Sequence, residues 1–400
     1  MNKPAIIPTY GTDSLLIAGP QVGLSARLDP GAGVRAQGFY QDRKIPARAL
    51  GWMLGVIGDW ITYFSAQQIK TWKLEQTDFL SSITDLPIAG FPNSPGMVWI
   101  PEPGDAQGFW YVYGASVGAA NSQALRFPRI GTGTTFQPPC DALGNVIANA
   151  DGSIMLAIGR DNGTTLVEVY KTTTRASSAW VAVSVGGLPH VGAPNPVLGF
   201  SPISSLFLGI DGSAPEHFLT SPDGVTWTDR GAIPGAGGSD RVKRFVRGGS
   251  TDIVIMTSGK VVISTNGGLT WATTTATGVT DAAYASAWGW LVNISGVLSI
   301  VNSLWTTFSS TGFAASKLKD IASDGASRFV WSNYDTTATP GPGIYYSDDG
   351  GLTANFVRFS ANVETNYIPY RVAWSGEQWG VFGFPTTQTA KYGWWTTAKL

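Results

Sequence analysis

One apolar strand recurs seven times in this 400-residue chain, and that recurrence constrains the fold more than any other feature. The copies are Phe109–Gly114, Ile154–Gly159, Leu206–Ile210, Ile253–Thr257, Gly289–Ile294, Arg328–Ser332 and Gln378–Gly383. A repeated unit of this size cannot bury its apolar face alone, so successive copies must stack on one another. The runs are nearly continuous in apolar residues, which suits strands covered on both faces. Each copy therefore reads as the centre of one small sheet.

A more alternating strand follows, as in Leu166–Tyr170, Lys260–Ser264, Gly343–Ser347 and Lys391–Trp395. An aromatic then opens an outer strand: Phe136, Trp180, Trp227, Trp271, Trp305 or Phe356. Six such anchors serve seven centre strands, because the last copy meets Leu400 before its outer strand begins. The missing strand is expected from the other end of the chain. Phe79–Pro87 repeats the aromatic, the mainly polar strand and the apolar-Pro exit of Trp180–Pro189 and Trp227–Pro234. Such a strand would close the last sheet and leave no open edge. The alternative is an open array of β-meanders.

Composition agrees with many short strands. The chain has 50 Gly, 24 Pro and 16 Trp but only six Glu, so turn and strand formers dominate over helix formers. A net charge of −1 excludes any general attraction to nucleic acid or anionic lipid. The cluster Arg241, Lys243, Arg244 and Arg247 reads as a solvated strand edge rather than an anion site. Cys140 stands alone and the two histidines, His190 and His217, lack companions at metal-ligand spacing, so no metal or cofactor is expected. Pro4, Pro8 and Gly11 interrupt any secretory signal, and the apolar run Ala49–Phe64 is short for a membrane span and holds Asp59.

Three segments, Ser221–Trp227, Ser264–Trp271 and Ser347–Thr353, resemble the Asp-box turn of sialidase-type (BNR-like) propellers, written roughly Ser-x-Asp-x-Gly-x-Thr-Trp. Asn266 replaces the Asp in one and Ala354 replaces the Trp in another, while the first is one residue shorter. Asp223, Asn266 and Asp349 can each accept bonds from turn amides, and Trp227 and Trp271 can plug the space beneath the hairpin. The resemblance implies a β-propeller; with the seven centre strands, the fold expected is all-β, a seven-bladed β-propeller with an N-terminal strand closing the last blade, preceded by an extended arm and one α-helix. Because the box lies on the outside of a blade, it implies no activity.

The domain organisation expected is an extended arm over 1–45, a helix and linker over 46–78, and a propeller over 79–400. Leu50, Leu54, Ile57, Ile61 and Phe64 follow a 4-3-4-3 spacing from Pro46, and Trp60 broadens the apolar surface. A helix so apolar must pack on something: its own propeller or, as the reading preferred, copies of itself or another subunit, with dimer and trimer both open. Residues 37–65, with Gly38-Phe39, Pro46-Ala47 and Asp59-Trp60, resemble a stretch near the N-termini of tailed-bacteriophage tail fibre and appendage proteins. Gly51 stands where that pattern has Asn. The resemblance implies a virion protein of the tail, assembled in the host cytoplasm, whose N-terminal part attaches to other tail proteins and whose propeller meets a host-surface glycan or builds the tail.

Two further functions stay open. A sialidase-like or other glycoside hydrolase would need converging arginines or paired carboxylates. Here Phe127–Ile130 has the wrong order for the sialidase Arg-Ile-Pro, Arg160, Arg244, Arg328 and Arg371 sit in no signature, and only Glu168 and Glu377 suggest themselves as acids. No catalytic residue is assigned. The other function is a purely architectural tail ring. Tyr392, Trp394 and Trp395 are candidate aromatics for stacking on a sugar.

Overall fold

In a computed structural model of the chain, the described residues are 72–77, 96–102, 105–113, 124–128, 134–135, 140, 142–160, 167–174, 179–183, 197–211, 216–235, 240–315, 318–333, 343–357, 367–385 and 393–397. They belong to one compact unit, Trp72–Thr397. The expected arm over 1–45 and the helix bearing Leu50, Leu54, Ile57, Trp60, Ile61 and Phe64 lie outside them.

The strands begin with β1 (Trp72–Thr77). Blade 1 is β2 (Gly96–Glu102), β3 (Asp105–Tyr113), β4 (Ala124–Pro128) and β5 (Thr134–Thr135). Blade 2 is β6 (Ala142–Ala148), β7 (Met155–Arg160), β8 (Val167–Thr172) and β9 (Val181–Val183). Blade 3 is β10 (Gly199–Ser201), β11 (Leu206–Ile210), β12 (His217–Ser221) and β13 (Thr228–Ala232). Blade 4 is β14 (Val242–Gly248), β15 (Thr251–Met256), β16 (Val261–Ser264) and β17 (Ala272–Thr273). Blade 5 is β18 (Val279–Ala285), β19 (Gly289–Ile294), β20 (Val297–Val301) and β21 (Phe308–Ala314). Blade 6 is β22 (Leu318–Ser323), β23 (Phe329–Asn333), β24 (Gly343–Ser347) and β25 (Asn355–Val357). Blade 7 is β26 (Tyr367–Trp374), β27 (Trp379–Pro385) and β28 (Gly393–Thr397), completed by β1.

Each blade is a four-stranded antiparallel meander, and the seven expected blades are all present. The first strands touch in sequence from β2 round to β26, and β26 touches β2, so the ring is closed. The recurring apolar strand is the second strand of each blade, flanked on both sides. All six residues of β15 and Phe109–Tyr113 of β3 are buried, as strands covered on both faces must be.

The closing strand is a correction. The last blade is closed from the N-terminal side, but by Trp72–Thr77, which pairs antiparallel with Gly393–Thr397. Phe79–Pro87, expected in that role, lies outside the described residues. The apolar-Pro exit is a feature of the loop after an outer strand, not of the strand itself. An aromatic and an alternating run are enough, and Trp72-Lys-Leu-Glu-Gln-Thr77 supplies both. The ring therefore starts at 72 rather than 79.

Between blades the core is made of facing second and third strands. Val197, Ile210, Phe218 and Ile233 of blade 3 pack on Val242, Val254, Met256 and Val262 of blade 4. Phe218 stacks on Trp271 across that seam, with centroids 4.1 Å apart. Trp290 and Trp305 sit in the next cluster against Ile253 and Ile255. Truncating a buried residue of this size costs about 3–5 kcal/mol, so these aromatics hold the blades in place.

Candidate functional site

The first strands enclose a cavity of about 800 Å³ along the ring axis. Its wall owes its chemistry to a repeated irregularity. In β6, β14, β18, β22 and β26 the pairing register slips near the start of the strand. A bulge turns the next side chain away from its regular direction. The residues that follow the five slips are Asn145, Arg244, Asp281, Asp320 and Arg371.

Three of these groups tie a blade to the next through a backbone amide. Asn145 Oδ1 accepts the Leu198 N–H at 2.9 Å, from blade 2 to blade 3. Asp281 Oδ2 accepts the Ile321 N–H and Asp320 Oδ2 the Val372 N–H, each at 2.9 Å. The three amides occupy matching places in their strands, so this is one latch used at three seams. Between blades 3 and 4 a different residue acts, with Glu216 Oε2 accepting the Val242 N–H at 3.0 Å. Blade 1 has Gly96 at the corresponding place, where a Cβ would lie 2.2 Å from the Tyr113 ring. The ring fills that space, and its hydroxyl meets the Val146 N–H and the Asn145 side chain of blade 2.

From blade 4 to blade 7 the latch is charged. Arg244 Nη1 pairs with Asp281 Oδ1 and, at 3.0 Å, with Asp320 Oδ1. Arg371 Nη1 approaches the same Asp320 oxygen at 3.6 Å, so two guanidinium groups converge on one carboxylate. Burial raises the Asp281 pKa, with Arg244 opposing and Asp320 adding to the rise. Burial works against the Arg244 charge, but Asp281 and Asp320 outweigh it and hold the guanidinium protonated. Lys243, which donates to the Thr280 carbonyl at 3.0 Å, has its pKa lowered by burial and then by Arg244 and Arg371. Glu216 is buried, and desolvation lifts its pKa to about 7 against the pull of the Val242 amide and Arg241.

The turn residues read from the sequence lie elsewhere, in hairpins between third and fourth strands. Asp223 Oδ1 accepts the Val225 and Thr226 amides at 2.9 Å. Asn266 Oδ1 accepts the Thr270 amide at 2.9 Å, and Asp349 Oδ1 the Thr353 amide at 2.8 Å. Ser221, Ser264 and Ser347 each accept a glycine amide through Oγ. Trp227 and Trp271 donate through Nε1 to Gly224 O and Gly268 O. The turns also seal the ring. A Cβ on Gly224, Gly268 or Gly351 would meet Leu156, Leu208 or Leu291, each on the second strand of the preceding blade.

Sequence reasoning missed a fourth turn of this chemistry, in which Asn302 Oδ1 accepts the Thr306 amide at 2.9 Å and Trp305 adopts a positive φ of 57°. The Asn302–Trp305 spacing departs from the motif, so only the aromatic anchor signalled it. Sequence reasoning also misjudged the basic cluster. Arg244 is no solvated edge, since a bulge turns it into the lumen. Glu168 and Glu377 are not brought together. The former accepts the Tyr170 hydroxyl at 2.8 Å on a third strand, and the latter sits in the β26–β27 hairpin. Trp394 and Trp395 fall in β28, with strands paired on either side, and Tyr392 lies outside the described residues. Among the described residues no group of three or more His, Cys, Asp or Glu could hold a metal, and no helix is long and apolar enough to cross a membrane.

No protein-family model matches this chain, and no curated protein matches it. Solved structures do. YCF48 from Cyanidioschyzon merolae is 16% identical at a TM-score of 0.53, covering 82% of this chain and 98% of that one. A structure described as YCF48 bound to D1 peptide is 15% identical at a TM-score of 0.50, covering 80% and 98%. The GH74 enzyme of Niastella koreensis is 15% identical at 0.48, with 76% of this chain and 43% of that one covered. The shared feature is the β-propeller. At such identities the likeness extends to the fold alone.

Proposed function

We propose that the chain is a bacteriophage virion structural protein, a tail fibre, appendage or tail component, whose propeller binds a host-surface glycan or builds the assembly and carries out no hydrolysis. The N-terminal segment 37–65 supports the virion setting through its resemblance to tail fibre and appendage proteins. The observation that carries the non-enzymatic part is the state of the carboxylates in and behind the lumen wall. Asp281 and Asp320 each accept a backbone amide of the next blade and share Arg244. A general acid or base must be able to exchange its proton with a substrate. These two are committed to holding seams. Attachment through residues 1–45, oligomerisation or docking through 46–78 and other tail proteins as partners complete the reading.

Labelling of purified particles with an antibody to the ring tests the setting, with signal expected at the tail. Particles that lack the protein would sink the virion reading. Adsorption of the purified chain to host cells then separates adhesin from scaffold, and turnover of any cell-surface glycan would restore the hydrolase.

A further inference from the structure

The lumen wall is electrostatically one-sided. Its charged lining residues are Lys243, Arg244, Arg247, Arg371 and a single acid, Asp320. The acids of the charged arc sit behind the bases. The side chains of Asp281 and Asp320 are 6% and 4% exposed, against 34% for Arg244 and 16% for Arg371. Both carboxylate contacts of Arg244 fall on Nη1, which leaves Nη2 and Nε without a protein partner among the described residues. A guanidinium carries five N–H donors in a planar fork matched to a two-oxygen anion. The surrounding wall adds Met97, Phe245 and Trp374, so apolar surface lies beside the cations. The enclosed volume, about 800 Å³, falls within the range of small-molecule sites.

We infer that the lumen binds a small oxyanionic ligand, a carboxylate or phosphate on a compact body, through Arg244 with Arg371 and Lys243 around it. The anion takes the open edge of the Arg244 guanidinium while Nη1 keeps its two acids, so binding leaves the seams intact. Charge-assisted bonds of this kind are about twice as strong as neutral ones. A ligand anion would also offset the mutual repulsion of the three cations. This site needs none of the virion reading, and it would stand in a protein of any location.

Titration calorimetry on the full chain at low ionic strength tests it, with inorganic phosphate and glucuronate as probes and glucose as the uncharged control. At least one oxyanion should bind once per chain at about millimolar Kd or tighter while glucose gives no heat. Saturation by glucuronate alone points to an acidic saccharide, and by phosphate alone to a phosphorylated ligand or the free ion. Lys243→Gln, which keeps the Arg244 contacts to Asp281 and Asp320, should weaken binding by about tenfold. Arg244→Gln should abolish it, read only if its melting transition remains cooperative. No saturable binding of either oxyanion, or undiminished affinity in Lys243→Gln, overturns the inference.

Discussion

The seams between blades fall into two arcs held by different chemistry. In blades 1 to 3 the seams are held by neutral or singly buried groups: Tyr113, Asn145 and Glu216. In blades 4 to 7 the same role passes to Arg244, Asp281, Asp320 and Arg371, which contact one another as well as the next blade. A neutral latch holds one seam and its loss is local. The charged arc joins three seams into one network, so removing a member leaves the remaining charges buried without compensation. Buried pairs add little over an apolar replacement, but breaking one is costly. The second arc is thus the more fragile to single substitution.

Arg244→Met gives the largest effect. It strands Asp281 in a buried setting and leaves Asp320 with Arg371 alone, and should cost about 3–5 kcal/mol, measured by chemical denaturation. A loss below about 1 kcal/mol would show that the arc is no more coupled than the neutral one.

Glu216 is the charged exception within the neutral arc, and pH separates it from the rest. Its folded pKa, about 7, lies above the ordinary carboxyl value of 4.5. Below 4.5 both folded and unfolded chains carry the proton, and no penalty arises. Between those values the unfolded chain releases the proton while the folded one keeps it, so stability falls as pH rises. Above about 7 the penalty is complete. Glu216→Gln should therefore gain stability relative to the parent on going from pH 4 to pH 8, by up to about 3 kcal/mol. A difference that stays flat across that range would refute the buried-acid assignment. Tyr113→Phe comes next. It removes the hydroxyl at the Val146 amide and should cost about 1–2 kcal/mol, with no pH dependence between 5 and 8.

The two arcs also differ in how far the sequence reveals them. Blade number and the buried second strands are legible because burial on both faces forces a run such as Ile253–Met256 to be wholly apolar. Closure from the N-terminal side is legible, but Phe79–Pro87 carries the Pro exit of an outer strand, whereas Trp72–Thr77, which pairs with the last blade, lacks it. The lumen chemistry was hidden for a different reason. Arg244, Asp281, Asp320 and Arg371 are up to 127 residues apart in sequence and share only their position after a bulge. A bulge changes register without leaving a residue signature, so an alternating reading assigned Arg244 to solvent.

The outer turns supply the smallest effect, and they test whether the turn's acceptor residue works by shape or by charge. Asp349 accepts the Thr353 amide and hydroxyl, at 2.8 and 2.7 Å, which overcome partial burial and lower its pKa. Asn266 makes the same amide bond in blade 4 with a neutral side chain, at 2.9 Å, and its Nδ2 donates to the Thr270 hydroxyl. The hydroxyl can reverse its role, since a Ser or Thr oxygen both donates and accepts. Asp349→Asn should therefore cost no more than about 0.5 kcal/mol, whereas Asp349→Ala, which removes the acceptor, should cost about 1 kcal/mol. Equal losses in the two variants, measured by denaturant titration at pH 7, would mean that the charge rather than the acceptor geometry holds this turn.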